Sequence, residues 1–299
     1  MPSCRTASGR GSSWKVARIS DSGALEMQSH WGSAEAAEAW RHEEARRAQQ
    51  FGPATELMLD FAGLAAGQRV LDVAAGTGEQ TILAAERVGP TGWVLATDVS
   101  ASMLEVAATA ARTAGLSNVE TRVMDAGQPE LDPQSFDTAI CRNGLQWIPQ
   151  PDTVLWNIYS ALRIGGTLSV LVHGAPERNP WTMVPSDIVR RTGSLPALSS
   201  TEPHACVLGG HGVLAAAFQR AGFRDIAVQP VTIERHYPTA AAAATNLRNG
   251  GGSLSTLIAS LRPELQEQAW VDIERAFERF AGPDWVDLST ESLVGAGTR

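Results

Sequence analysis

Two glycines and two carboxylates stand at spacings that could hold a nucleoside. Gly76 and Gly78 follow an apolar run, and a helix-compatible segment, 82–87, comes after them. Glycine lets a ligand approach the main chain closely, and the first turn of the next helix offers unpaired N–H groups. Asp98 lies 20 residues beyond Gly78, near the spacing at which such a carboxylate accepts hydrogen bonds from ribose hydroxyls. Gly-x-Gly alone is also compatible with an ordinary strand-to-helix turn.

The rest of the chain predicts the elements that must position these residues. Strand-like apolar runs alternate with helix-compatible segments, a pattern typical of a parallel sheet. Asp125 and Ala126 stand at the end of the third run, and Ser100 is expected to cap the helix after the second. A turn at 162–166 is expected before the fifth strand. The predicted strands begin near residue 69 and continue with 93–98, 119–124, 135–141, 167–172, 225–229 and 289–297.

In this order of elements the chain resembles the class I S-adenosylmethionine-dependent methyltransferases, specifically the small-molecule branch similar to ubiquinone and menaquinone biosynthesis methyltransferases. The resemblance covers residues 35–236 and 288–298. It implies a Rossmann-like α/β fold, a seven-stranded and mostly parallel sheet with helices on both faces. A dinucleotide-dependent oxidoreductase is the main alternative, but its fingerprint asks for a third glycine where Thr81 stands.

The resemblance also implies a site for S-adenosyl-L-methionine and its product, S-adenosyl-L-homocysteine. Asp72 would receive the cofactor ammonium directly or through water, Asp98 would take both ribose hydroxyls, and Asp125 would accept from the adenine amino group. Asp72 and Asp125 could instead cap neighbouring helices. The expected cofactor residues are Asp72, Ala74, Gly76, Gly78, Asp98, Val99, Met103, Asp125, Ala126 and Arg142.

Aromatic residues suggest the acceptor side of the site. Trp40, Gln146, Trp147 and Trp181 fall in segments expected to face a pocket, which favours a flat and largely apolar acceptor such as a quinone, phenol, indole or polyketide. Methyl transfer needs mainly alignment and desolvation, with a base where a proton must leave. His173 is the candidate base, although a single histidine at a strand end is more often structural. A protein of this fold that binds the cofactor without transferring methyl is a second hypothesis.

The chain divides into a core domain with additions. Residues 1–28 are expected to be a disordered tail and 29–299 the methyltransferase domain. Two helices, 33–50 and 53–64, would form a flap over the ligands. Insertions at 175–210 and 237–285 leave from the ligand-binding side of the sheet, so a helical cap over the acceptor is expected. The same cap helices could instead form a homodimer interface.

Composition limits the partners and the setting. The 32 acidic residues outnumber the 24 basic ones, which argues against a nonspecific nucleic-acid binder and favours a small-molecule acceptor. Three cysteines form no metal-ligand spacing, so we expect no metal and a reducing, cytoplasmic setting. No apolar run approaches the roughly 20 residues that span a bilayer.

Overall fold

The computed structural model describes residues 44–199, 202–250 and 253–299. The predicted tail 1–28, most of the first flap helix and Trp40 lie outside the described residues.

Seven strands form one sheet in the order β3-β2-β1-β4-β5-β9-β6, and a two-stranded ladder, β7-β8, stands apart. All pairs in the large sheet are parallel except those of β9, which runs antiparallel between β5 and β6. The predicted Rossmann-like sheet with its antiparallel last strand is therefore confirmed. The strands are β1 (Arg69–Val73), β2 (Trp93–Asp98), β3 (Val119–Val123), β4 (Phe136–Arg142), β5 (Leu162–His173), β6 (Arg224–Ile233), β7 (His236–Tyr237), β8 (Val286–Asp287) and β9 (Thr290–Thr298).

Helices cover both faces of the sheet because the buried strands are apolar on both sides. On one face, alternate residues of β1 and β4 pack against α4 and α6; on the other, they pack against α1 and α2. The helices are α1 (Glu44–Phe61), α2 (Glu79–Val88), α3 (Ala101–Thr113), α4 (Pro151–Ala161), α5 (Pro180–Thr192), α6 (Val213–Arg220), α7 (Ala240–Asn249), α8 (Ser253–Ala259) and α9 (Pro263–Phe277).

The predicted break between two flap helices is wrong in the described part of the flap. Helix α1 continues through Pro53, a residue that removes a helical hydrogen bond at a cost of about 3 kcal/mol. Phe51, Ala54 and Met58 lie on the face of α1 that packs on the sheet, and all three are buried. Burial of this apolar face offsets the proline penalty, because tertiary packing supplies most helical stability in proteins.

The predicted turn at 162–166 is part of the irregular strand β5. Leu162 pairs with Phe136 of β4, and regular pairing resumes only at Thr167. Gly165 has a φ of 82° at the bulge, and its N–H donates to the Arg299 carbonyl at 3.1 Å. The bulge therefore interrupts the strand without ending it.

The two insertions fold together as a cap. Helix α5 from the first insertion shares one apolar cluster with α7, α8 and α9 from the second, which includes Ile188, Ala243, Ile273 and Phe277. The β7-β8 ladder pairs the two ends of the second insertion, with His236 opposite Asp287. The cap is thus a packed helical layer attached to the sheet at the carboxyl ends of β5 and β6.

Candidate functional site: a cavity between the sheet and the cap

A cavity of about 470 Å³ lies between the carboxyl edge of the sheet and the cap. This volume suits a small organic ligand. Three of the predicted site residues, Asp72, Gly78 and Gln146, do not line the cavity. The predicted site residues that line it are Ala74, Gly76, Asp98, Val99, Met103, Asp125, Ala126, Arg142, Trp147, His173 and Trp181.

Asp98, the last residue of β2, holds the loop after β1 in place through hydrogen bonds. One carboxylate oxygen accepts the Gly76 N–H at 3.0 Å, and the other accepts the Ser100 N–H at 2.9 Å. Burial raises the pKa of Asp98, while these N–H groups and that of Val99 oppose the rise. Each oxygen keeps a further lone pair, so Asp98 can also accept hydrogen bonds from a ligand in the cavity.

Asp72 lies beneath the loop, and its carboxylate is linked to the cavity wall through Gln80. Its oxygens accept the Thr81 hydroxyl at 2.5 Å and the Gln80 side-chain amide at 3.1 Å, and Gln80 itself lines the cavity. Complete burial raises the pKa of Asp72 to about 7, against the effect of these hydrogen bonds. The arrangement orders the loop and presents Gln80, rather than the Asp72 carboxylate, to the cavity.

Backbone conformation brings the loops after β1 and β4 close together. Ala74 and Asn143 adopt φ angles of 56° and 55°, in the left-handed region that non-glycine residues seldom occupy. A Cβ atom on Gly144 would collide with Ala74, so glycine is required where the loops meet. Strained backbone of this kind concentrates at functional sites, and both loops line the cavity.

Gly78 serves helix packing. It caps α2 with a φ of 88°, and a Cβ placed there would lie 2.8 Å from the Cβ of Ala107 in α3. Of the two glycines, only Gly76 borders the cavity.

We expect Gly78→Ala to lower the free energy of unfolding by about 2 to 3 kcal/mol, because left-handed backbone and overpacking both oppose the new methyl group. Gly212→Ala is the matched control, since Gly212 caps the start of α6 in the same left-handed conformation, with a φ of 73°, and has open space around it. The control should lose only about 1 kcal/mol, the conformational part alone. Denaturant unfolding of both variants measures the difference, and equal losses would contradict the packing role.

The loop after β3 is held by side-chain to backbone hydrogen bonds. Asp125 is exposed, and its carboxylate accepts the Gly127 N–H at 2.8 Å. Asn157 of α4 donates to the Ala126 carbonyl at 2.9 Å. Met103 at the start of α3 is buried beside this loop, and Ser100 caps that helix as predicted. Asp125, Ala126 and Met103 thereby form one end of the cavity wall.

A buried carboxylate joins α1, α2 and β4. Glu79 pairs with Arg47 of α1 at 2.5 Å and, through its other oxygen, with Arg142 of β4. Arg142 also donates to the Thr55 hydroxyl of α1 at 3.2 Å. Arg142 lines the cavity as predicted, but its charge is compensated by Glu79.

His173 lies on the cavity wall at the end of β5. Its Nδ1 is 3.2 Å from the side-chain nitrogen of Gln146, and the Phe51 ring meets it edge-on at 6.4 Å. Burial lowers the pKa of His173 to about 4, and the positive charge of Arg235 acts in the same direction. The imidazole is therefore neutral near pH 7, and it is a weak base because its conjugate acid is strong.

We expect His173 to reduce stability as the pH falls. Unfolded histidine binds a proton below about pH 6.5, whereas folded His173 stays neutral until about pH 4, so acidification favours unfolding. Relative to His173→Gln, the wild type should lose about 2 kcal/mol of unfolding free energy between about pH 6.5 and pH 5. Urea titrations at several pH values measure this loss, with the exposed His211→Gln as control. Parallel pH profiles for wild type and His173→Gln would refute the expectation.

The cap side of the wall contains residues that the sequence analysis did not identify. Arg235 and Arg190 reach the cavity together with Met183, Leu254 and Leu257. Arg235 lies two residues beyond the end of β6, and a charged residue after a strand on this edge was the available signal. The cap residues carried no comparable signal, since their approach depends on how the helices pack.

Among the described residues, no three His, Cys, Asp or Glu side chains are grouped to hold a metal ion. Within the same ranges, no helix has the length and apolar character to cross a bilayer.

Comparison with known proteins places the chain among methyltransferases. A family model described as a methyltransferase domain matches residues 64–198. A demethylmenaquinone methyltransferase from Geobacillus stearothermophilus is 33% identical over 175 residues, which cover 56% of this chain and 75% of that protein. The nocamycin O-methyltransferase of Saccharothrix syringae is 28% identical over 201 residues, covering 64% and 72%.

Solved structures show the same fold at lower identity. Phosphoethanolamine N-methyltransferase 2 of Haemonchus contortus, in complex with S-adenosyl-L-methionine, matches with a TM-score of 0.57 and 19% identity, covering 94% of this chain and 60% of that one. The [4+2]-cyclase SpnF matches with a TM-score of 0.53 and 20% identity, covering 82% and 80%. The fold is thus shared with an enzyme named for a different reaction, and fold alone does not assign activity.

Proposed function

Because this chain belongs to the S-adenosylmethionine-dependent methyltransferases, we propose that it methylates a carbon or oxygen atom of a small, flat and largely apolar acceptor. S-adenosylmethionine is the cofactor. The observation that carries the proposal is a single cavity lined both by Asp98 and the β1 loop and by the aromatic residues Trp147 and Trp181. Quinone, phenol, indole and polyketide-like acceptors fit this description.

The cofactor end of the cavity suits a nucleoside. Asp98 has free lone pairs for the two ribose hydroxyls, and Asp125 with Ala126 would hold the adenine edge. The cofactor ammonium would meet Gln80, with Asp72 behind it supplying negative charge or a bridging water. The strained loop around Gly76 allows the ligand to approach the backbone.

The chain's own contribution to methyl transfer is alignment and exclusion of water. When bound, the cofactor supplies a methyl group on a positively charged sulfur, which is already a good leaving group. Trp147 would wall the transfer site, and the cap would close over the acceptor. His173 would hydrogen-bond the acceptor as a neutral ring, because its low pKa makes it a poor general base.

An acceptor panel tests the proposal. The purified protein is incubated with S-adenosylmethionine and hydroquinones, phenols, indoles or aromatic polyketides, and mass spectrometry follows methylated product and S-adenosylhomocysteine. At least one class should yield both products in equal amounts. Tight cofactor binding without transfer to any class would favour a non-methylating function, and binding of NAD instead would favour an oxidoreductase.

A further inference from the structure

Arg235 is a buried cation on the acceptor side of the cavity. Arg235 is 7% exposed and lines the cavity. It follows Glu234, just beyond the end of β6. One terminal nitrogen donates to the Gln50 side chain at 2.7 Å. Its Nε is buried and has no hydrogen-bond partner in the described structure. The guanidinium is therefore enclosed and incompletely satisfied.

Aromatic rings hold this guanidinium in place. Its central carbon lies 5.2 Å from the Trp181 ring centre and 5.7 Å from that of Phe51. The Trp181 ring is itself nearly parallel to those of Tyr237, at 5.2 Å, and Phe277, at 5.9 Å. Arg235 is thus preorganised by the flap on one side and the cap core on the other.

No described carboxylate lies within ion-pair distance of Arg235, in contrast to Arg47 and Arg142, which share Glu79. Burial lowers the pKa of Arg235 to about 10, with Arg46 acting in the same direction and Tyr237 opposing it. A buried charge without a counter-ion is costly in a folded protein. Its position on a cavity wall indicates that a ligand supplies the missing negative charge.

Apart from Arg47 and Arg142, whose charges are shared with Glu79, the charged residues along the cavity are segregated. Asp98 and Asp125 are the described carboxylate residues on the wall, and both belong to the β2 and β3 end. The cap side carries Arg235 and Arg190 among apolar side chains. An anionic group on an otherwise apolar acceptor complements this distribution.

We propose that Arg235 binds an anionic oxygen group, a carboxylate or an ionised enol, on the flat acceptor. This inference rests on the proposed methyl transfer and narrows its substrate class. The planar guanidinium can donate two parallel hydrogen bonds to such a group. An acceptor that arrives ionised also needs no strong base, in agreement with a neutral His173 in the same wall.

The carboxylate of the cofactor's methionine part is the other anionic group that could bind Arg235. Two strands, β5 and β9, separate β6 from β4 in the sheet. At a spacing of about 4.8 Å per strand, β6 lies roughly 14 Å from β4. The loops after β1 and β4 surround the cofactor end, whereas Arg235 follows β6 and packs on Trp181 of the cap, which places it toward the acceptor side.

Binding of matched acid and neutral probes tests the proposal. The protein is saturated with S-adenosylhomocysteine and titrated calorimetrically with 2-naphthoate or 4-hydroxycoumarin, which carry a carboxylate and an ionised enol. 2-Naphthamide and coumarin are the neutral counterparts. We expect at least one acid to bind about 10- to 100-fold more tightly than its neutral counterpart, since a hydrogen-bonded charge contributes this much. The preferred acid distinguishes carboxylate from enol.

Variants assign the effect to Arg235. Arg235→Gln should abolish the preference for the acid and leave the S-adenosylhomocysteine affinity unchanged. Arg248→Gln is the matched control, because Arg248 is a cap arginine outside the cavity that pairs with Glu267. It should preserve the preference. If Arg235→Gln does not fold, the comparison of acids and neutral probes on the wild type still decides.

Three results would overturn the proposal. The first is equal affinity of the wild type for acids and their neutral counterparts, or no saturable binding of either acid at millimolar concentration. The second is an acid preference that survives in Arg235→Gln. The third is loss of S-adenosylhomocysteine affinity in that variant, which would assign Arg235 to the cofactor carboxylate. Failure of the wild type to bind S-adenosylhomocysteine at all would instead refute the proposed function.

Discussion

Replacing Glu79 with glutamine is expected to lower the free energy of unfolding by about 3 to 5 kcal/mol, the largest effect of any single change considered for this protein. Glu79 gives one oxygen to Arg47 and the other to Arg142, and all three side chains are at most about one-tenth exposed. Glutamine keeps the size of the side chain but removes the charge. Two buried guanidinium groups then lose their shared carboxylate.

Unfolding of the wild type and the variant in guanidinium chloride at neutral pH measures this loss of unfolding free energy. Glu267→Gln is the matched control, because Glu267 pairs with Arg248 at 2.5 Å on an exposed part of the cap. Exposed ion pairs contribute little to stability because water and salt screen them, so the control should remain near wild type. Equal losses in the two variants would show that burial does not strengthen the Glu79 network.

The same network connects stability to the site. Arg47 belongs to α1, Glu79 begins α2, and Arg142 ends β4 beside the strained Asn143. Each of these elements contributes residues to the cavity wall. Loss of Glu79 should therefore loosen the β1 loop and the flap together, a coupling that hydrogen exchange of residues 74–80 and 47–58 would detect.

Local patterns in the sequence were sufficient to predict the sheet and the residues at its carboxyl edge. Strand β2 was predicted with its observed bounds and ends at Asp98 as expected, whereas Asp125 lies two residues beyond the end of β3. Parallel strands converge on one edge, so residues that end successive strands are brought together whatever the details of packing. This geometric reason explains why most of the predicted cofactor residues line the cavity.

Predictions that depended on tertiary packing were less accurate. Pro53 suggested a helix break, but the buried face of α1 outweighs its penalty. Gly78 was expected among the cofactor residues, yet it is needed where α2 meets Ala107. The Arg47–Glu79–Arg142 network and Arg235 join residues far apart in the chain, and no local pattern records such pairings. The low pKa of His173 likewise depends on Phe51 and Arg235 around it.

Replacing Asp98 with alanine is expected to weaken S-adenosylhomocysteine binding by about 2 to 4 kcal/mol, or roughly 30- to 1000-fold. The proposed ribose contacts would lose a charged acceptor shared by two hydroxyls. The variant also releases the N–H groups of Gly76 and Ser100, which hold the loop and the start of α3. Both consequences act on the cofactor end of the cavity.

Calorimetry with S-adenosylhomocysteine measures the loss, and two variants separate its causes. Asp125→Ala removes an exposed carboxylate with one backbone partner, Gly127, and should cost at most about 1 kcal/mol. Asp98→Asn keeps the size of the side chain but offers one acceptor where two are used, so it should fall between Asp98→Ala and wild type. Unchanged affinity in a folded Asp98→Ala would show that the nucleoside does not bind at this end of the cavity. The assignment of the β1 loop to the cofactor would then be wrong.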